Sequence, residues 1–182
     1  MPRIPEHTRE DLPAEAQNGV NQIAGGVGRL SHMLGELADN QAIFEIYLGK
    51  TKALKDHGTF DAKTREAIAL AMANENNCEY CEASHTRTAR RAGWTDEEML
   101  AIRAGKVTWD PKTAAMTALV RSASSNTGDV PDDVWQAALD AGWTEQDLVE
   151  AFAHIMGNIF NNYFNRYART EFDFPAAPAL PE

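Results

Sequence analysis

Cys78, Cys81 and His85 stand in a Cys-x-x-Cys-x-x-x-His arrangement, and Glu66 precedes the first cysteine by twelve positions. On a helix, residues three and four apart share a face, so both thiols and the imidazole stack on one side. A straight helix from Glu66 to Cys78 would separate the two by roughly 18 Å. Asn74, Glu75, Asn76 and Asn77, however, are cap and turn formers that break the helix between them. If the chain folds back there as an αα-hairpin, positions whose numbers sum to 151 come opposite each other, and Glu66 and His85 are such a pair. The spacing predicts a carboxylate facing an imidazole, one helical turn from a thiol at a helix start.

That set of residues suits thiol redox chemistry. A thiolate is the nucleophile, and its formation is favoured at a helix start, where unpaired N–H groups and the dipole stabilise negative charge. His85 can take a thiol proton, directly or through one water, while Glu66 holds the imidazole in one tautomer. The second cysteine can then resolve a sulfenic acid to a disulfide, which a thiol donor reopens. Spacing alone does not decide which cysteine is attacked. Two other uses of the same residues exist: zinc ligation, and disulfide exchange with other proteins without peroxide. Two thiols, one imidazole and a distant carboxylate are an incomplete zinc set, with no second C-x-x-C, so no metal or other cofactor is expected.

The residues Glu66, Cys78, Cys81 and His85, within the words EAIALA, NCEYCEASH and RRAGWT, resemble the alkylhydroperoxidase D branch of the carboxymuconolactone decarboxylase superfamily. The likeness runs from about Gln41 onward and includes a carboxyl-terminal helix rich in Asn and Phe. The resemblance implies a thiol-dependent peroxidase acting on hydrogen peroxide or alkyl hydroperoxides, with Cys81 peroxidatic and Cys78 resolving. It also implies a lipoyl, thioredoxin-like or small-thiol reductant and a homo-oligomer, trimeric or hexameric. Some members carry a histidine between the cysteines. Here that position is Tyr80, read as an aromatic wall because a phenol is a poor proton relay near neutral pH. A lactone decarboxylase, the superfamily's other named activity, has no need of the cysteine pair.

The elements that must position these residues are helical. Of 182 residues, 43% are apolar and 24% charged, which suits one compact domain. The formal charge of −10 and pI near 4.9 argue against nucleic-acid and anionic-membrane partners. The longest apolar run, Ala67 to Ala73, is far too short to span a bilayer, and the polar, proline-broken amino terminus is no signal peptide. Paired cysteines without a secretory signal point to the cytoplasm. Residues 1–13 read as an extended arm, and Ala14 to Gly35 as one or two short helices weakened by Gly19, Gly25, Gly26 and Gly28. Firmer helices are expected from Gln41 to Leu54, Asp61 to Ala73, Cys78 to Gly93, Thr95 to Ala104, Asp110 to Ser124, Asp132 to Ala141 and Thr144 to Arg169. Caps at Asp61, Thr95, Asp110 and Thr144 mark several of their starts. The tail 170–182 reads as irregular, draped on the surface or on a neighbour. No segment alternates as a strand does, so the fold class is all-α, with seven to nine helices.

An internal repeat runs through this pattern. DAKTREAIALA at Asp61 matches DPKTAAMTALV at Asp110, and RAGWTDEEML matches DAGWTEQDLV, both at an offset of 49. The reactive unit, 61–104, therefore has a second copy within 110–169. In that copy Glu66, Cys78, Cys81 and His85 become Ala115, Thr127, Val130 and Val134, so the chemistry is not needed to build the hairpin. On the last helix His154 reads as a local packing or capping residue outside the site. Asn158, Asn161, Asn162 and Asn165 read either as a solvated face or as polar contacts within an oligomer.

Overall fold

The computed structural model describes residues 1–24 and 29–180, and Gly25, Gly26 and Gly28 lie outside them. Among the described residues the chain forms nine helices and no strand, so the all-α expectation holds. In chain order they are α1 (Ala14–Ala24), α2 (His32–Leu37), α3 (Gln41–His57), α4 (Ala62–Glu75) and α5 (Glu79–Arg91). Then follow α6 (Asp96–Ala104), α7 (Pro111–Ser125), α8 (Asp132–Asp140) and α9 (Glu145–Ala168). Helix α3 runs past the expected end at Leu54 because Asp56 and His57 continue the helix as far as Gly58.

Helix α4 is the centre. Every residue from Ala67 to Ala73 is buried, leaving no polar face over those two turns, as expected of a helix enclosed on all sides. Helices α5, α6, α7 and α9 pack around it. The main core joins Ile68, Leu70 and Met72 of α4 to Met99, Ile102, Met116, Val120, Leu148 and Ile155. A second core gathers Val20, Leu34, Leu37 and Phe44 with Phe164 and Ala168, so α9 is shared by both.

The repeat is structural. Asp61 accepts from the Thr64 N–H at 2.7 Å, and Asp110 accepts from the Thr113 N–H at 3.0 Å. The Trp94 indole donates to the Lys63 carbonyl and the Trp143 indole to the Lys112 carbonyl, each at 2.9 Å. Each lysine amine lies 4.2 Å from the ring centre of its own tryptophan. Capping boxes at Thr95–Glu98 and Thr144–Asp147 complete the match. The copies differ at the hairpin turn. In the second, Val130 and Val134 pack onto the main core where the first carries its cysteine and histidine.

Helix α9 is amphipathic in an inverted sense. Asn158, Asn162 and Asn165 are buried, whereas Val149, Phe152, Met156, Tyr163 and Tyr167 are exposed. Both expectations for the asparagines are thus corrected: they face the interior of their own chain, because polar atoms of the α4–α5 turn lie there. The Asn76 side-chain amide donates to Asn162 Oδ1 at 2.9 Å, and the Arg166 guanidinium donates to the Asn76 and Asn77 backbone carbonyls at 2.7 and 3.0 Å.

Both ends of the chain lie on its own helices. The Arg3 N–H donates to the Ala168 carbonyl at 2.8 Å. In the tail, Pro178 accepts from Arg103 and Phe174 lies under Arg87. Residues 170–180 form no helix or strand, and these contacts drape them over this chain. No helix among the described residues is long and apolar enough to cross a membrane.

Candidate active site

The α4–α5 turn is made by backbone geometry that asparagine tolerates. Asn76 ends α4, and Asn77 adopts a left-handed φ of 51°, a region in which Asn is enriched. The Cys78 N–H reaches back to the Ala73 carbonyl at 2.9 Å. Cys78 itself is the N-cap of α5, its Sγ accepting from the Cys81 N–H at 3.3 Å. The expected cap at Asn76–Asn77 thus belongs one residue further on. Cys78 and Cys81 are joined in a disulfide, with Cα atoms 5.2 Å apart, and both are buried.

Across the hairpin, His85 Nδ1 and Glu66 Oε2 are 2.9 Å apart, as the turn register predicts. The Thr88 hydroxyl donates to the same carboxylate oxygen at 2.6 Å. Burial pushes the Glu66 carboxyl up. The hydrogen bond and charge of His85, the Thr88 hydroxyl and the Arg65 charge outweigh it and hold the group below its ordinary range. A carboxylate accepting from Nδ1–H leaves Nε2 of His85 with a free lone pair, which is the form able to take a proton.

Three further groups join the site from outside the motif. The Asn165 amide donates to Cys81 Sγ at 3.4 Å and lies 3.3 Å from the Met33 sulfur. An N–H aimed at that sulfur favours its thiolate once the disulfide is reduced. His154 lines the same cavity as Glu66 and His85, a space of about 370 Å³ that Lys50, Asn158 and Asn161 also border. Its ring stacks on Phe60 at 5.4 Å, and burial lowers its pKa despite Glu150 beside it. Local sequence could not find these contacts, since each partner lies in a distant segment. The one available signal was the run of Asn at helical spacing in α9.

Tyr80 is more than a wall. It borders a separate cavity of about 330 Å³ together with Cys78, Asn165 and Arg166. Its hydroxyl donates to Asp173 Oδ2 at 2.7 Å, and burial followed by that carboxylate raises the phenol's pKa well above its ordinary value. It stays protonated and ties the tail to α5. Among the described residues no three His, Cys, Asp or Glu side chains converge as a metal-holding set.

The Lys50 amine lies 4.5 Å from the Tyr47 ring centre and 5.3 Å from that of Phe160. Burial lowers its pKa to about 8, with no carboxylate opposing the effect. From pH 8 to the ordinary value of 10.5, the unfolded chain holds a proton that the folded chain has lost, so stability rises with pH there. Below pH 8 the charged amine is a full cost to folding. Lys50→Met is expected to raise the urea midpoint at pH 7, and that gain should vanish by about pH 10.5. A gain that is the same at both pH values would contradict this.

Residues 38–120 match the Carboxymuconolactone decarboxylase family. Uncharacterized protein 4 in the cox locus of Paracoccus denitrificans is 33% identical over 73 residues, covering 40% of this chain and 66% of that protein. The match thus spans just under two thirds of the relative's length. Among solved structures, the alkylhydroperoxidase AhpD core of an uncharacterized peroxidase-related protein from Ralstonia eutropha JMP134 superposes with a TM-score of 0.83. It is 18% identical, with 94% of this chain and 92% of that one covered. A peroxidase-related protein from Silicibacter sp. TM1040 gives 0.74 at 16% identity, covering 94% of each. The apo debrominase Bmp8 gives 0.77 at 16% identity, covering 94% of this chain and 92% of that one. Over residues 38–120 the chain is thus similar to the carboxymuconolactone decarboxylase family, and as a whole it shares the all-helical fold of the alkylhydroperoxidase AhpD core.

Proposed function

We propose that the chain is a thiol-dependent peroxidase reducing hydrogen peroxide or alkyl hydroperoxides. The observation that carries this reading is the disulfide-bonded Cys78–Cys81 pair beside the Glu66–His85 hydrogen bond. In the reduced enzyme His85 takes the Cys81 proton and the Asn165 amide supports the thiolate. The sulfur attacks one peroxide oxygen and the O–O bond breaks. The departing alkoxide or hydroxide takes the proton from His85, leaving a sulfenic acid on Cys81. The Cys78 sulfur then attacks Cys81, forming the disulfide and releasing water. A dithiol donor reduces that disulfide and becomes oxidised itself. The order, with Cys81 peroxidatic, follows the alkylhydroperoxidase D resemblance. It is supported by Asn165 and by the position of Cys81 one turn from His85.

Exchange of the same disulfide with protein thiols, without peroxide, is the alternative. Peroxide consumption should be measured with dithiothreitol, lipoamide and a thioredoxin in turn. Turnover with at least one donor is expected, falling by about 100-fold or more in His85→Ala, the usual weight of a general acid–base group. Turnover should be lost in Cys81→Ser. Thiol oxidation by a protein disulfide with no peroxide consumed under any donor would overturn the peroxidase in favour of the alternative.

We further propose a homo-oligomer, trimeric or hexameric, assembled through α9. The supporting feature is its exposed stripe of Val149, Phe152, Met156, Tyr163 and Tyr167, too apolar and contiguous to face water. Because the tail lies over its own chain, the stripe is the surface left for a second copy to cover. Light scattering at micromolar concentration should give about 60 or 120 kDa, three or six times the chain mass of 20.1 kDa. A species near 20 kDa would refute the assembly.

A further inference from the structure

The cavity beside the Glu66–His85 pair is cationic in a protein of formal charge −10. Lys50, Lys55 and Arg65 border it, and Glu66 is the only carboxylate lining it among the described residues. Glu66 is already engaged by His85 and Thr88. The Lys50 ammonium has two aromatic rings as neighbours, Tyr47 and Phe160, and no anion among the described residues. A half-buried cation held this way is incompletely compensated, because ring faces replace only part of the hydration that it loses.

A second orphan group lies in the same space. The Asn161 side-chain oxygen is buried with no hydrogen-bond partner among the described residues. An acceptor left this way is suited to a hydroxyl or hydroperoxyl donor. Leu54 and Ala69 supply an apolar stretch of lining between these polar groups. The volume, about 370 Å³, falls within the range of small-molecule pockets.

We propose that this cavity binds a small organic acid, its carboxylate paired with Lys50 and its hydroxyl-type donor directed to Asn161. Under the peroxidase reading, on which this part rests, the ligand is an acidic organic hydroperoxide held beside His85. Lys50 then selects acidic over neutral hydroperoxides. An arriving carboxylate also opposes the effect of burial on the amine, since an opposite charge favours the protonated form.

The anchor is testable without turnover. Calorimetric titration of the oxidised full chain with benzoate, benzamide and inorganic phosphate compares an organic acid, its neutral analogue and a bare anion. Benzoate should bind at least about tenfold more tightly than either, the scale of one partly buried charge pair. The preference should disappear in Lys50→Met and persist in Lys50→Arg. On the unsubstituted protein, saturating benzoate should also raise the Lys50 titration midpoint, read by NMR of the lysine side chain, so the proposal does not depend on a variant that folds. Equal affinity for benzoate and benzamide, phosphate binding as tightly as benzoate, a preference that survives Lys50→Met, or an unmoved Lys50 midpoint would each overturn it. Hydrogen peroxide consumption by the same preparation, with dithiothreitol, lipoamide or a thioredoxin added as donor, reports on the reaction separately. Intact benzoate preference with no peroxide consumed would refute the peroxidase and retain the acid site.

Discussion

The hydrogen bond between Glu66 and His85 depends on a single reversal of the chain at Asn76–Asn77. One residue more or fewer in that turn would rotate α5 by about 100° against α4 and carry His85 off the facing side. The fold fixes the turn from several directions at once. Asn77 takes the left-handed backbone angle, Arg166 satisfies the last two carbonyls, and Asn76 is held by Asn162 and by the Ser124 hydroxyl. Polar groups buried in such numbers are stabilising only when they are paired. The turn thus faces the buried Asn162 of α9, while Phe152, Met156, Tyr163 and Tyr167 stay outside.

The duplicated hairpin separates what the scaffold needs from what the chemistry needs. Both copies keep the aspartate cap, the lysine over tryptophan and the indole-to-carbonyl bond. The second copy places valines in its core where the first has Cys81 and His85. In the first copy the same positions hold a buried disulfide, a carboxylate and an imidazole. Their desolvation is offset by Thr88 and Asn165, which donate to Glu66 and Cys81 respectively.

What the sequence revealed was what lies within one local unit. Helical spacing, the Asn cluster and equal arm lengths sufficed to pair Glu66 with His85, and cap residues at Asp61, Thr95, Asp110 and Thr144 located four helix starts. Contacts arriving from elsewhere were not legible. Asn165 is 84 positions from Cys81, Asp173 is 93 from Tyr80, and Lys50 and His154 reach the cavity from α3 and α9. The asparagines of α9 were misread because polar residues at helical spacing ordinarily face water, and only the buried turn opposite reverses that rule. Cys78 as its own helix cap was equally hidden, since a thiol is a weak acceptor and an uncommon choice there.

The central claim is that the Glu66–His85 pair sets the ionisation of Cys81. The direct measurement is the pH dependence of Cys81 alkylation by iodoacetamide in reduced protein carrying Cys78→Ser, with and without Glu66→Gln. The account predicts a midpoint well below the ordinary thiol value of about 8.5 and an upward shift of about one pH unit when the carboxylate is removed. A midpoint near the ordinary value, unmoved by Glu66→Gln, would contradict it.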